Sequence, residues 1–242
     1  MSKKERNSYI LLILFGLISI LFIWLGKQEY VYKITREDGF IENLTAIFYL
    51  IGFIVGLITI IKLKKHRNLL LFPIIWTFLC FVFLGEETSW FQRLFNYSVP
   101  GVENVNAQNE FNFHNLAIFK GEDLFVDGKL SKEGVINFLK STQNIFRIGF
   151  FSYFVVFPFL MLISRKLNRF FTKIGYIKPH NYFIFGTLLV FGCSFVFAII
   201  SPLDKKMALA ETREMLYAFF ILMYVWLYIK SLTTKLELSK HL

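Results

Sequence analysis

The chain has 242 residues, of which 55% are hydrophobic and 19% aromatic, and its mean hydropathy is +0.53. Such a composition, with its long apolar runs, is typical of membrane-spanning segments and leaves few polar stretches to build a soluble domain. The net charge is +10, but the sequence contains no soluble domain whose surface could present these bases to a nucleic acid. We therefore expect no nucleic-acid partner. Cys80 and Cys193 both lie in apolar runs, so neither a disulfide framework nor a cysteine zinc site is indicated.

Six apolar runs approach the roughly 20 residues that are needed to cross the hydrocarbon core. We therefore predict an all-α polytopic membrane protein with about six transmembrane helices in a single integral membrane domain, 1–242. The first run is followed by no cleavage motif, so we expect it to remain as a span. The predicted spans are Tyr9–Leu25, Ile41–Ile61, Leu69–Leu84, Ile145–Ile163, Tyr182–Ser201 and Met215–Ile229.

The distribution of charge predicts the orientation of these spans. With both termini in the cytoplasm, the cytoplasmic segments hold 15 of the 27 Lys and Arg residues but only two of the 17 acids, Glu5 and Glu237. Basic residues are enriched in cytoplasmic loops, so we predict an N-in, C-in topology. A long extracytoplasmic loop, about 86–143, then joins the third and fourth spans. Within it, the stretch from Lys120 to Thr142 indicates ordinary exposed structure without chemistry.

Two adjacent acids stand at the end of the third span, in the stretch FLGEETSWFQRLF. The C-terminal end of a helix carries partial negative charge, so Glu86 and Glu87 would be disfavoured if the helix stopped there. If it continues as an amphipathic extension, Glu86 shares a stripe with Ser89 and Arg93, and Glu87 lies beside Trp90. Arg93, a metal or a proton could then offset the acids. The alternative is that both acids reach interfacial water.

A strip of alternating polar residues follows in the loop. Its polar members are Gln108, Glu110, Asn112 and His114, with Phe111 and Phe113 between them. In an extended chain the four polar side chains share one side, and this side could face the region of Glu86. In a helix, Glu110 and His114 are instead neighbours one turn apart. Either conformation brings a carboxylate close to the one imidazole that the topology places outside.

Three further acids reach the same membrane face in this topology. Glu42 opens the second span, and Glu211 and Glu214 precede the sixth. Acids are favoured in the first turn of a helix, so these residues also suit a purely structural role. Glu211 and Glu214 are three residues apart, which places both carboxylates on one side of a helix.

The site predicted from these residues is an acidic and histidine-containing polar cluster at the extracytoplasmic membrane boundary. Glu86 and Glu87 would act as general acid and base or as metal ligands, His114 as base or ligand, and Arg93 as an anion clamp. Second candidates are Glu42, Ser89, Glu110, Glu211 and Glu214. A divalent metal could be held by Glu86, Glu87, His114 and Glu211, although no ligand spacing specific to a metal is present.

The stretches GEETSWFQRLF and NEFNFHNL resemble a group of uncharacterised prokaryotic polytopic membrane proteins. These carry a G-E-E-x-S-W-x-Q-R segment and a downstream strip that ends in His-Asn. The resemblance covers about 30 residues and implies an integral membrane family of the prokaryotic plasma membrane without naming a reaction. The matching positions are Gly85, Glu86, Glu87, Ser89, Trp90, Gln92 and Arg93, then Glu110, Asn112, His114 and Asn115.

Three classes of function remain open at this stage. The first is a membrane-embedded hydrolase or transferase that acts on a lipid or lipid-linked substrate. The second is a non-catalytic membrane subunit, sensor or assembly partner that docks another membrane protein. The third is a transporter, although the predicted spans carry few ionisable residues and no paired broken helices. Membrane lipids are expected as partners in each case.

Overall fold

The computed structural model describes residues 3–36, 39–104, 106, 111–112, 125–126, 129–130, 136, 138–139 and 141–238. These residues are mostly helical, and they include one antiparallel pair of two-residue strands, β1 (Phe125–Val126) and β2 (Lys129–Leu130). The helices are α1 Lys3–Leu25, α2 Gln28–Thr35, α3 Phe40–Leu63, α4 Leu71–Glu87, α5 Gln92–Phe95, α6 Pro100–Glu103, α7 Thr142–Phe151, α8 Phe157–Ile163, α9 Arg165–Lys173, α10 Asn181–Ile200 and α11 Leu203–Leu238. A π-helical turn, Ser152–Val156, connects α7 to α8.

The all-α prediction is confirmed for the described residues, in which four helical stretches are long and apolar enough to cross a membrane. They are Glu5–Leu25, Gln28–Leu63, Thr142–Ile163 and Asn181–Ile200, and each contains or nearly coincides with a predicted span. The predicted third span corresponds to α4, which has 17 residues. The predicted sixth lies inside α11. Six spans and the N-in, C-in topology stay predictions.

Helix α11 begins twelve residues before the sixth predicted span. Its 36 residues run from Leu203 to Leu238, because the stretch LDKKMALAETRE is polar but rich in good helix formers. Hydropathy therefore locates the apolar part of this helix and misses its beginning. Glu211 and Glu214 therefore lie in the interior of α11, and the alternative that they stand in its first turn is wrong. Thr212 lies in its interior, where its hydroxyl donates to the carbonyl of Ala208 at 2.8 Å.

The described residues pack as two compact units, 1–81 with 154–242 and 82–153. In the first unit, α11 packs against α1, α2, α3 and α10, and α1 also packs against α10. Aromatic rings fill this core: Phe154 lies 5.5 Å from Trp76, 5.2 Å from Phe183 and 5.1 Å from Tyr224, measured between ring centroids. Such contacts add to the apolar burial that holds the helices together.

Glycines allow two helix pairs of this unit to approach closely. On α3, Gly52 and Gly56 form a G-x-x-x-G spacing, and a Cβ added to them would lie 3.0 Å from Cys80 Sγ and 2.2 Å from Thr77 Oγ1 on α4. Cys80 is thus a small residue that packs at this helix contact. On α1, a Cβ at Gly16 would lie 2.7 Å from Val190 of α10. In lipid there is no hydrophobic driving force between helices, so helix association depends on the close van der Waals packing that such small residues allow.

The outward faces of the long helices are apolar. On α1 the exposed residues recur at helical spacing and include Leu11 (65% exposed), Ile18 (62%) and Leu25 (70%). On α10 they include Phe185 (59%) and Ile199 (76%). Water would disfavour such continuous apolar surfaces, whereas lipid tails solvate them. This surface and the four candidate spans define a membrane protein.

The second unit contains the end of α4, the short helices α5 and α6, the hairpin and α7. Phe83 of α4 packs edge-on against Phe146 of α7, with ring centroids 4.9 Å apart, and Phe146 also contacts Phe150 at 6.1 Å. These rings hold the last turns of α4 in place within the unit. They position the segment that contains the predicted site.

Candidate functional site

Helix α4 ends on the two predicted carboxylates, Glu86 and Glu87, and both side chains are half-buried. The amphipathic extension that would have carried them onward does not form. Ser89, Trp90 and Phe91 instead adopt φ values of 47°, 53° and 65°, so the chain makes one left-handed turn before α5. Left-handed backbone costs roughly 1–2 kcal/mol per residue that is not glycine, and the surrounding contacts must offset this cost.

Trp90 folds back over the end of α4 and binds one of the acids. Its indole Nε1 donates to Oε1 of Glu86 at 2.7 Å. The ring lies against Gly85, where an added Cβ would come within 2.8–3.0 Å of three indole carbons. A carboxylate at a helix C-terminus lacks the favourable dipole that it has at an N-terminus, and the indole N–H gives it a donor. The stripe expected for Glu86, Ser89 and Arg93 assumed a continuous helix, and the left-handed backbone at Ser89 interrupts it.

Hydrogen bonds from both sides hold the left-handed turn. The hydroxyl of Tyr97 donates to the carbonyl of Trp90 at 2.8 Å. Before the turn, the Thr88 hydroxyl donates to the carbonyl of Leu84 at 2.8 Å, and the amide of Phe91 donates to the carbonyl of Thr88 at 2.9 Å. These bonds satisfy polar backbone that leaves the regular helix, as buried or membrane-embedded backbone requires.

A buried amide network joins the turn to the polar strip. Asn112 donates through Nδ2 to Ser89 Oγ at 3.4 Å, and Asn106 Nδ2 donates to both the side-chain and the main-chain oxygen of Asn112, at 2.8 and 2.6 Å. Ser89, Asn106 and Asn112 are 2%, 5% and 2% exposed. Gln92 Oε1 also accepts from the amide of Phe111 at 2.8 Å. Asn112 of the polar strip thus contacts the left-handed turn that follows α4, while Gln108, Glu110 and His114 lie outside the described residues.

The structure places the other predicted residues as follows. Glu42 lies in the first turn of α3 and is half-buried, while Glu211 is exposed and Glu214 half-buried on α11. These three belong to the first unit, and Glu86, Glu87 and Ser89 to the second. Arg93 lies in α5. Glu110 and His114 lie outside the described residues, so the predicted convergence of all these groups stays a prediction.

A metal centre finds no support among the described residues. No three His, Cys, Asp or Glu side chains within them lie close enough together to hold a metal ion. The predicted ligand His114 is outside that set. Glu86 and Glu87 supply carboxylates, which suit general acid and base chemistry without a metal.

Arg213 is a buried charge that the sequence analysis did not single out. It lies on α11 and is 7% exposed, with Nη1 3.4 Å from Ser194 Oγ and its guanidinium carbon 4.9 Å from the centroid of the Phe195 ring. It stands in a helical row of fully buried residues that includes Leu209, Leu216 and Phe220. The spacing of four, three and four residues along this row predicts a buried position for Arg213, but only if the helix is taken to begin near Leu203. Buried ionisable residues in membrane helices mark functional or specificity-determining positions.

No protein-family model, curated protein or solved structure matches this chain. The class defined by the fold is an all-helical membrane protein.

Proposed function

We propose that this protein is a membrane-embedded hydrolase or transferase that acts on a lipid or lipid-linked substrate at the extracytoplasmic face of a prokaryotic plasma membrane. The observation that supports this proposal best is the Glu86 carboxyl group, which the indole of Trp90 orients at 2.7 Å where α4 ends. A carboxyl group at the boundary of an apolar helix is positioned to exchange protons with a substrate that reaches it from the lipid.

The neighbouring groups support the same function. Glu87 adds a second half-buried carboxyl group at the same helix end, so one acid can donate a proton while the other accepts one. Arg93 follows in α5 and serves in the proposal as the clamp for a phosphate or carboxylate. His114 keeps its predicted role as base. The amide network of Ser89, Asn106 and Asn112 fixes the turn that follows Glu86 and Glu87.

The experiment uses the purified full chain in vesicles made from total bacterial lipid extract. Lipid products are measured by mass spectrometry for wild type, Glu86→Gln and Glu87→Gln. Glu29→Gln is the matched control, because Glu29 is an exposed acid on α2. We expect a product from wild type and Glu29→Gln, and its loss in both site variants at unchanged thermal stability. Equal product from all four proteins would refute the assignment.

The proposed orientation is tested by cysteine labelling in intact cells, in a background where Cys80 and Cys193 are replaced by alanine. Asn96 and Thr172 are both exposed. A membrane-impermeant maleimide should label Asn96→Cys but not Thr172→Cys. The reverse pattern would place the end of α4 in the cytoplasm and remove the extracytoplasmic site.

A non-catalytic membrane subunit is the second candidate, and the amide network supports it. Asn106 donates a hydrogen bond to Asn112, and Asn112 donates one to Ser89. Such bonds within the protein are typical of a structural scaffold, which in this candidate shapes a surface for another protein. If this candidate is correct, the vesicle experiment yields no product, and the protein purifies from its native membrane with a stoichiometric protein partner.

A further inference from the structure

Helix α9 connects two candidate membrane spans, and if both cross the membrane it lies at a membrane surface. The candidate span Thr142–Ile163 precedes it and the candidate span Asn181–Ile200 follows it. The connection between them, 164–180, contains only α9 and a short turn. A connection of this length keeps the helix next to the lipid headgroups.

The helix is a defined element with caps at both ends. Ser164 Oγ accepts from the amide of Leu167 at 3.4 Å, and Gly175 closes the helix at φ 81°. There the amide of Gly175 donates to Thr172 at 3.1 Å and that of Tyr176 to Phe171 at 2.9 Å, which is the Schellman pattern that favours glycine. The ends of α9 are therefore fixed by local chemistry.

One face of α9 is anchored to its own unit. Phe171 is 8% exposed, stacks on Phe157 of α8 at 4.8 Å and contacts Tyr176 at 5.5 Å between ring centroids. These contacts prevent α9 from rotating about its axis, so the opposite face points in a fixed direction.

That opposite face is basic. Arg165, Arg169 and Lys173 recur every four residues, Lys166 stands beside them, and all four are exposed. The chain has no acid between Glu133 and Asp204, so this stretch of sequence contains no anion to neutralise them. Two of the bases occupy the first helical turn, where the helix dipole disfavours positive charge, so helix stability does not account for them.

An exposed aromatic ring borders the basic row. Phe170 is 55% exposed and follows Arg169 around the helix, between the bases and the anchored face. A helix with bases on one arc and an apolar ring at its edge fits the boundary between headgroups and acyl chains.

We propose that α9 binds the phosphate groups of anionic phospholipids, with Phe170 inserted among their acyl chains. The charge complementarity of the basic row and the membrane-surface position favour lipid as the occupant over an acidic protein. This inference concerns the first unit and is independent of the proposed enzymatic activity. It assigns a lipid-headgroup site to this loop in addition to its role as a topology signal.

The test uses the full chain in nanodiscs with a fluorophore on Thr172→Cys, in the background lacking Cys80 and Cys193. Brominated phosphatidylglycerol and brominated phosphatidylcholine are added at equal fractions, and the quenching of the fluorophore is compared. We expect stronger quenching by phosphatidylglycerol, which weakens as the concentration of sodium chloride rises. Equal quenching by the two lipids would overturn the proposal.

Substitutions then test whether the preference for phosphatidylglycerol over phosphatidylcholine arises from α9. Changing Arg165, Lys166, Arg169 and Lys173 to glutamine should reduce the apparent affinity for phosphatidylglycerol by about tenfold or more. Changing Lys62, Lys64, Lys65 and Arg67 removes the same number of charges elsewhere and should leave the preference intact. A preference that survives the first set, or vanishes equally with the second, contradicts the assignment. If the fourfold variant does not fold, the pairs R165Q/K166Q and R169Q/K173Q should each lose part of the preference.

Inorganic phosphate distinguishes the lipid from a soluble anion. At matched ionic strength it should reduce the quenching no more than chloride does. A larger effect of phosphate would show that the bases bind a soluble phosphate in place of the lipid.

Discussion

The indole N–H of Trp90 donates to Oε1 of Glu86 at 2.7 Å, four residues back along the chain. In a continuous helix, residues this far apart also meet, but here the chain passes through a left-handed turn between them. The bond therefore closes across the left-handed turn and orients the carboxyl group of Glu86 at the end of α4.

Trp90→Phe removes the donor and retains an aromatic ring. We expect a loss of about 1–2 kcal/mol in the free energy of unfolding, the usual value of one partly buried hydrogen bond. Thermal unfolding in detergent measures it. Trp226→Phe is the control, since Trp226 is 56% exposed and should change the stability by less. Equal losses in the two variants would show that the bond to Glu86 contributes nothing.

Gly85→Ala should displace the indole, because the new methyl group would lie 2.8–3.0 Å from its ring atoms. We expect lower thermal stability and a shift in tryptophan fluorescence as the ring leaves its position. Gly149→Ala is the matched control: this glycine is also helical, and its added Cβ meets nothing within 4 Å. That variant should be unchanged or more stable by about 0.5–1 kcal/mol. An unchanged spectrum in Gly85→Ala would contradict the close packing.

Gly56→Ala should push α3 away from α4, since its Cβ would lie 2.2 Å from Thr77 Oγ1. We expect a loss of about 1–3 kcal/mol from overpacking. The double variant with Thr77→Ala removes the clashing hydroxyl and should recover most of the loss. Gly192→Ala on α10 is the control, as it meets no atom within 4 Å. Failure of the double variant to recover stability would place the strain elsewhere.

Arg213→Met should cost more stability than any other single charge removal in the long helices. Arg213 is 7% exposed, and its guanidinium contacts Ser194 and the ring of Phe195, so the substitution removes both contacts. We expect a loss of about 2–3 kcal/mol from a hydrogen bond of a charged group together with a cation–π contact, measured by chemical denaturation in detergent. Arg147→Met, at a half-buried position of α7, should cost less than about 1 kcal/mol. A smaller loss at Arg213 than at Arg147 would contradict this ranking.

Sequence patterns predict the apolar helices well and the site only partly. Ile163, for example, ends both a predicted span and α8, because the apolar run that hydropathy detects ends at the same residue as the helix. The left-handed turn was missed because Ser89, Trp90 and Phe91 include no glycine or asparagine, the residues that usually signal positive φ. The turn is held by Tyr97, 7 residues after Trp90, and by Asn112, 23 residues after Ser89. Local patterns do not contain such contacts.

Helix α11 has one mechanical consequence. Its 36 residues give a rod of about 54 Å at 1.5 Å per residue, while the hydrocarbon core is about 30 Å thick. The usual tilt of about 20° shortens its projection by only a few ångströms. If this helix crosses the membrane, some 20 Å of it lies in headgroups or water. A force on that projecting part would therefore be transmitted to the bilayer interior through an unbroken helix.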